Sequence, residues 1–482
     1  MVQSPRLGFC VVLLAVFGPL GCSPKSNGPG SNDPGAPSGS GGSGGVSGSG
    51  GASAGVTGGA PAGGSGGSAS EPSAGNAGGG APAGGAGGGA GGSNGGPDAA
   101  PGPAAGQVVV RAGELERDHA IVSFPLPGQA GKNLILRAAD GTELPLQVAQ
   151  DGTATFVLPS LSAGAEARFT LEQPAAPPPA AITTAESENP AGIAVRVDDR
   201  QVLHFQTRGQ RPNGVPTNRE RGGYIHPVFT PSGTLVSDDY PSDHLHHHGI
   251  WSAWTSAQWK GASVDFWNMQ GNSAKVDFDS LGGTWQGPVH AGFSAKLLHT
   301  ALRPATEVAL NEQWVVTVYK THPADPPYFV FDLHSTQEAA SATPLRLNTY
   351  HYGGFAIRGH AQWRNPSNAT YLTSEGDNRG SGDGKRAHWS FIGGNVDGKA
   401  AGYAILGHPT NFRAPQGLRH NPTDPFIAIL PATQSAGGAF DIEPGKPYIS
   451  RFRFVTTDGP PNAQLLDRIW KDFATPAEVT VR

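Results

Sequence analysis

The run Asp243-His244-Leu245-His246-His247-His248-Gly249-Ile250-Trp251 places four of the chain's 16 histidines within five residues. Imidazole titrates near neutrality, ligates metals and hydrogen-bonds through either nitrogen. Crowding several such rings is costly if they charge together, so the run marks a working site. Three chemistries fit it: a metal centre, a metal-free functional site, or imidazoles that only brace a loop. For catalysis the candidates are His244, His246 and His247 as general acid or base, with Asp243 orienting one of them.

In an extended segment alternate side chains share a face. His244, His246 and His248 would then point one way, and Asp243, Leu245 and His247 the other. A catalytic zinc wants three protein ligands and an open position. The third ligand would come from His226, Asp239 or Asp243. Yet consecutive His246 and His247 diverge in an extended chain, and no cysteine lies nearby to complete a set. The expectation is a site without metal or other cofactor.

Three further polar clusters could share this site. Arg346-Leu347-Asn348-Thr349-Tyr350-His351-Tyr352-Gly353-Gly354 would align Arg346, Asn348, Tyr350 and Tyr352 on one face. Aromatic rings stack on sugar C–H faces, and Arg and Asn bond hydroxyls. His408-Pro409-Thr410-Asn411-Phe412-Arg413 follows an apolar strand, and Asp265-Phe266-Trp267-Asn268 offers a tryptophan platform. The substrate-binding candidates are His226, His248, Trp267, Tyr352, His408, Asn411 and Arg413. Each has a bland counterpart: an ordinary sheet face, a capped turn or a core tryptophan. Asp238, Asp239, Asp243, Glu312, Glu375 and Asp377 cannot be ranked as paired glycosidase carboxylates. Outside the Gly/Ala/Ser-rich stretch 23–106, Gly-x-Ser-x-Gly elbows and phosphate-binding glycine loops are absent. The His-rich loop, residues 350–354 and residues 408–413 are expected to converge on one concave face.

The elements that must hold these clusters read as strands. Residues 107–173 contain short Val/Ile/Leu/Phe runs separated by turn signals such as Asp140-Gly141 and Asp151-Gly152. They predict a small β-sandwich module. Pro174–Ala181 is a stiff spacer. From 187 to 482 strands dominate again, and only Asn462–Phe473 has helical periodicity. The fold class is all-β, with a large antiparallel β-sandwich after the small one.

The N-terminal residues describe delivery. Residues 1–22 read as a lipoprotein signal peptide with Cys22 as the lipidated residue. Residues 23–106 are Gly/Ala/Ser/Pro-rich, and half of the 72 glycines lie at or before Gly106. Such a segment is a disordered tether, with a reach on the order of 50 Å. The expected location is the cell envelope, lipid-anchored, with membrane contact only through the lipid. Only Cys10 and Cys22 are cysteines, so no disulfide framework or thiol catalysis is expected in the folded part. A net charge of -5 without a Lys/Arg run argues against nucleic acid.

Three stretches together resemble the bacterial PmoA-like family of secreted proteins. They are His226-Pro227 through Thr230-Pro231-Ser232-Gly233, Asp238 and Asp243–Gly249; Tyr352-Gly353-Gly354; and His408–Arg413. The resemblance spans roughly 195–470. It implies a galactose-mutarotase-type β-supersandwich and the company of sugar-degrading enzymes. His248 departs from the family's pattern, where many members carry Arg. The family label, methane oxygenase PmoA, belongs to membrane-embedded subunits, and this chain lacks suitable apolar spans. The function expected is carbohydrate binding or processing in a His-rich pocket. The alternatives are a non-catalytic glycan-binding protein and a His-ligated metal oxygenase.

Overall fold

The computed structural model describes residues 106–482. The signal segment 1–22, the Cys22 lipidation site and all of the tether but Gly106 lie outside the described residues. Strands dominate, and every ladder among the described residues is antiparallel. The chain is all-β, as its alternating apolar pattern predicts.

Two eight-stranded sheets form the large fold. One runs in the order Gly417–His420, Phe426–Leu430, Gly354–Arg358, Ile250–Ala253, Tyr224–Val228, Arg200–Gln206, Ala191–Val197 and Ile182–Glu188. The other runs Ala274–Trp285, His290–Ala301, Glu307–Tyr319, Tyr328–Ala339, Tyr448–Asp458, Lys399–Gly407, Trp389–Val396 and Thr370–Thr373. One hydrophobic cluster draws on both sheets, with Phe205, Ile225 and Phe355 from the first and Phe293, Trp314 and Phe454 from the second. Period two explains the facing. In Glu307–Tyr319 the residues Leu310, Trp314, Val316 and Val318 are buried, while Asn311 and Gln313 are exposed.

Glu312 occupies one of the inward positions and is 1% exposed. Its carboxylate accepts hydrogen bonds from His299 Nε2 (2.7 Å), Trp314 Nε1 (2.8 Å), Ser335 Oγ (2.6 Å) and Gln337 Nε2 (3.0 Å). Burial alone would favour the neutral acid, but these donors reverse that and lower its pKa. Trp254 Nε1 donates to Gln337 Oε1 at 2.7 Å and so ties the first sheet to this hub. Glu312 is a structural carboxylate.

The expected strand over 345–352 is broken. Leu345–Leu347 belongs to a separate four-stranded sheet, and the chain enters the eight-stranded sheet only at Gly354. Gly354 makes the transfer with φ 72, where a Cβ would stand 2.6 Å from the Ile429 carbonyl oxygen. The large fold also begins earlier than expected, at Ile182, so the proline spacer runs straight into its edge strand.

The module preceding it is one seven-stranded sheet curled around Val110, Val122, Leu136, Leu146 and Phe156. Its seventh strand is not local: Glu478–Val481 pairs with Gln107–Arg111, Val108 facing Val481. The segment 187–482 therefore supplies one strand to the module. Helix Ala463–Ala474, capped by Asn462 Oδ1 on the Leu465 N–H at 3.1 Å, comes just before it. Leu466 and Ile469 pack on Trp389, Phe391 and Leu406 of the second sheet.

Arg117, buried in the module, donates to Asp472 Oδ1 at 2.8 Å and to the Thr475 carbonyl at 2.7 Å. The two side chains are 2% and 6% exposed, so removing one leaves an uncompensated buried charge. Asp472→Ala is expected to lower stability by about 3–5 kcal/mol in urea unfolding. A loss below about 1 kcal/mol would show that the carbonyls of Ala112 and Thr475 suffice for the guanidinium.

Candidate functional site

The His-rich segment is not extended. His244 N–H bonds the Pro241 carbonyl and His247 N–H bonds the His244 carbonyl, so two consecutive turns reset the side-chain phase. The alternation expected from an extended chain is overturned accordingly. His244 and His247, assigned to opposite faces, stack with centroids 4.6 Å apart and planes 16° apart. His246 meets both edge-on, at 5.7 Å and 4.7 Å.

Arg358 fixes this geometry. It ends the strand Gly354–Arg358, which pairs with Ile250–Ala253 directly after the loop. Its guanidinium is fully buried and donates to both Asp243 oxygens, at 2.9 and 2.7 Å. Nη1 lies 3.2 Å from His247 Nδ1, which must accept. Arg364 adds a third contact to Asp243 at 3.1 Å and reaches Asp238 at 3.5 Å. Burial works to raise the Asp243 pKa, but its neighbours His244, Asp424 and above all the bonded Arg358 guanidinium outweigh it, and the carboxyl stays ionised. Asp424 is pushed the other way by burial and by Asp243 beside it.

The histidines divide by role. His247 is sealed among Trp251, Phe426 and Trp267, with centroids 5.1, 4.8 and 5.7 Å away. Burial drives its pKa well below normal, so it is a neutral pillar. His248 is also fully buried: Nδ1 stands 2.6 Å from Asp239 Oδ1, and its ring stacks on Tyr224, whose hydroxyl donates to Asp239 at 2.8 Å. Burial raises Asp239 to about 6. His246 is lowered to about 3 by burial and by neighbouring His244 and Arg219; its Nδ1 faces Arg219 Nη1 at 3.5 Å. His244 is the open member. Its side chain is 34% exposed, and Nδ1 lies 3.8 Å from Asp243 and 3.6 Å from Asp424.

These residues sit in a closed ring of contacts. From His246 it passes to Arg219, whose neighbour Asn218 donates to the Gln270 carbonyl at 3.5 Å. Gln270 reaches Asn268 at 3.4 Å, and Asn268 donates to the Tyr352 hydroxyl at 3.0 Å. Tyr352 packs on Trp267 at 5.4 Å, and Trp267 returns to His247. Asn218 Oδ1, Gln270 Oε1, Arg219 Nε and His244 Nδ1 have no hydrogen-bond partner within the protein.

Of the sequence candidates, His244, His246, His247, Asp243, Trp267 and Tyr352 come together. Trp267 is 2% exposed and forms a wall rather than an open platform. His248 and His226 lie beneath, His226 on Ser237 Oγ at 2.9 Å. The 408–413 loop makes no contact with the ring. His408 packs on Phe473, Asn411 bonds both backbone groups of Arg451, and Arg413 donates to the carbonyls of Pro431, Gly438 and Ala439. Arg346 pairs with Asp441 in the four-stranded sheet. Sequence reasoning missed Arg358, Arg364, Asp424, Arg219, Asn218 and Gln270. Arg358 alone carried a local signal, a charge closing the apolar run Phe355-Ala356-Ile357.

Asp243, His244 and Asp424 hold three ligand-type atoms within 4.8 Å of one another. Both Asp243 oxygens already accept from guanidinium groups. That leaves His244 and Asp424, one short of the three protein ligands a catalytic zinc uses. The donor set does not fit a resident zinc.

Buried neutral histidines make the fold acid-sensitive. His246 lies at about 3, and His204, His290 and His420 at about 4, each through burial first. Their unfolded values lie near 6.5, so the unfolded chain binds protons more readily below that pH. Stability should fall as pH drops from about 6.5 toward 4, with Asp239 opposing in part because its folded pKa is raised. Urea midpoints at stepped pH check this, and His246→Gln should flatten the slope. A flat profile across the window would refute it.

Comparison with known proteins gives no curated protein that matches. Among solved structures, an alpha-mannosidase from Enterococcus faecalis V583 aligns at 10% identity and TM-score 0.31, over 78% of this chain and 46% of that one. The chain thus spans about half the length of that protein, and a likeness of this size carries no argument. A model of a family of unknown function, DUF6807, matches residues 192–471, which include the large fold from its second strand and the whole His-rich site. The chain belongs to that family.

Proposed function

We propose that the His244 face binds a carbohydrate and that His244 serves there as a general acid or base. The observation that carries this reading is the ring from His246 through Arg219, Asn218, Gln270 and Asn268 to Tyr352. It combines amides, a guanidinium, imidazoles and a partly exposed tyrosine, with polar atoms that lack partners of their own. A sugar hydroxyl both donates and accepts, and suits such mixed groups. Tyr350, 5.0 Å from Tyr352, extends the aromatic side of the patch.

The catalytic half of the proposal rests on His244. It is the most exposed imidazole of the run and stands between two carboxylates of opposite disposition, Asp243 ionised and Asp424 raised. A proton taken by His244 from a sugar hydroxyl leaves an imidazolium that both carboxylates stabilise. Asp243, fastened by Arg358 and Arg364, orients the loop. With a lipid on Cys22 and the 23–106 tether, the protein would present this face from the cell envelope.

Binding to an immobilised glycan panel, with product release followed in parallel, tests both halves. His246→Ala and Arg219→Ala should each weaken binding about tenfold through lost hydrogen bonds. His244→Gln should keep binding and cut turnover by at least about a hundredfold. Binding without turnover in the unmodified protein leaves a glycan-binding protein. Failure to bind any glycan, or full binding by both His246→Ala and Arg219→Ala, sinks the reading.

A further inference from the structure

The seam between the module and the large fold contains an open cleft of about 400 Å³. Four parts of the chain build it: the module, the proline spacer, the turn before the strand His290–Ala301 and the loop after the strand Glu307–Tyr319. Leu144, Pro145, Val157, Pro159, Pro179 and Val289 form apolar walls. A volume of this size at a domain junction is typical of small-molecule sites.

Two imidazoles supply its chemistry. His119 of the module and His322 of the large fold lie with ring centroids 4.1 Å apart and planes inclined at 31°. His119 adopts φ 53, a left-handed conformation that costs a non-glycine residue energy and here aims the ring across the seam. Its Nδ1 stands 2.6 Å from Asp118 Oδ1, and Asp118 is in turn paired with Arg468. With Nδ1 engaged by Asp118, Nε2 is the ring nitrogen left for a ligand. His322 Nε2 is buried and has no partner within the protein. Burial, and then His119, lower the His322 pKa to about 4, which keeps this ring neutral at ordinary pH.

The cationic and anionic groups of the lining are already engaged. Lys320 holds Asp198 at 2.6 Å, and Glu143 holds Arg137 at 2.7 Å. A carboxylate ligand would find no free cation there. A sugar would leave several hydroxyls against proline and valine walls, each unpaired hydroxyl costing free energy. A flat apolar ring with a single hydroxyl donor satisfies both the walls and the imidazole nitrogens.

We propose that this cleft is a second binding site, which takes a small aromatic alcohol of the phenol class. The ring lies between the proline and valine walls. The hydroxyl donates to the free imidazole nitrogen of His119 or His322. The site is separate from the His244 face and does not depend on its carbohydrate reading.

The probes are p-cresol and toluene, which differ only in the hydroxyl, titrated calorimetrically into the full chain. Saturable binding of one p-cresol per chain is expected, about fivefold to tenfold tighter than toluene. His322→Phe and His119→Gly should remove that preference; glycine suits the left-handed backbone at 119, so this variant keeps the test open if His322→Phe does not fold. His246→Ala should bind p-cresol normally. No saturable p-cresol binding, equal affinity for toluene, or a preference that survives both variants would overturn the proposal.

Discussion

A single buried guanidinium holds the working loop in place. Arg358 is fully desolvated, which is costly for a charge without partners. Its side chain answers with Asp243 and His247, and its backbone bonds Gly249 and Asp238. Four points of the segment 238–249 are thereby tied to one strand end. The turns at Pro241 and His244, the stacking of His244 on His247, and the exposure of His244 all follow from where that strand end lies. Tyr403 hydroxyl, donating to the Arg358 carbonyl at 2.7 Å, extends the anchor into the second sheet.

This arrangement separates holding from acting. His247 and His248, whose pKa values burial holds well below normal, are also the most enclosed imidazoles of the run. They stay neutral and serve as hydrogen-bonding spacers inside an aromatic shell. The open imidazole, His244, borrows its setting from them. The same economy appears in the core, where Glu312 spends all its hydrogen-bonding capacity on His299, Trp314, Ser335 and Gln337. A polar residue type in a sequence therefore says little about reactivity until its partners are known.

Much of the fold was legible because it rests on period two. The module's strands and the C-terminal helix stand where alternation and helical spacing put them. Ala274–Trp285 and His290–Ala301 were not legible: the first carries Gly282-Gly283 near its end and has a largely solvent-facing pattern, and the second mixes Gly, Ser, Lys and His into its alternation. Within the site, the His-rich run and Tyr352 were visible by composition. Asp424, Asn218 and Gln270 were not, because each is an ordinary turn residue until the fold brings Asp424 beside His244 and links Asn218 through Gln270 to Asn268. The 408–413 loop misled for the converse reason. Its Arg413 looks reactive in sequence, yet three backbone carbonyls absorb it.

The strand Gln107–Arg111 lies between Glu166–Glu172 on one side and Glu478–Val481 on the other. Gln107 and Arg482 exchange two backbone hydrogen bonds, at 3.0 and 2.9 Å. Tension entering the folded part at Gly106 therefore runs along a strand clamped by two antiparallel neighbours. Both ladders must shear together before that strand can slide. A pull on the chain is thus met first by two ladders of the module, on a different sheet from the strands that hold the His-rich run.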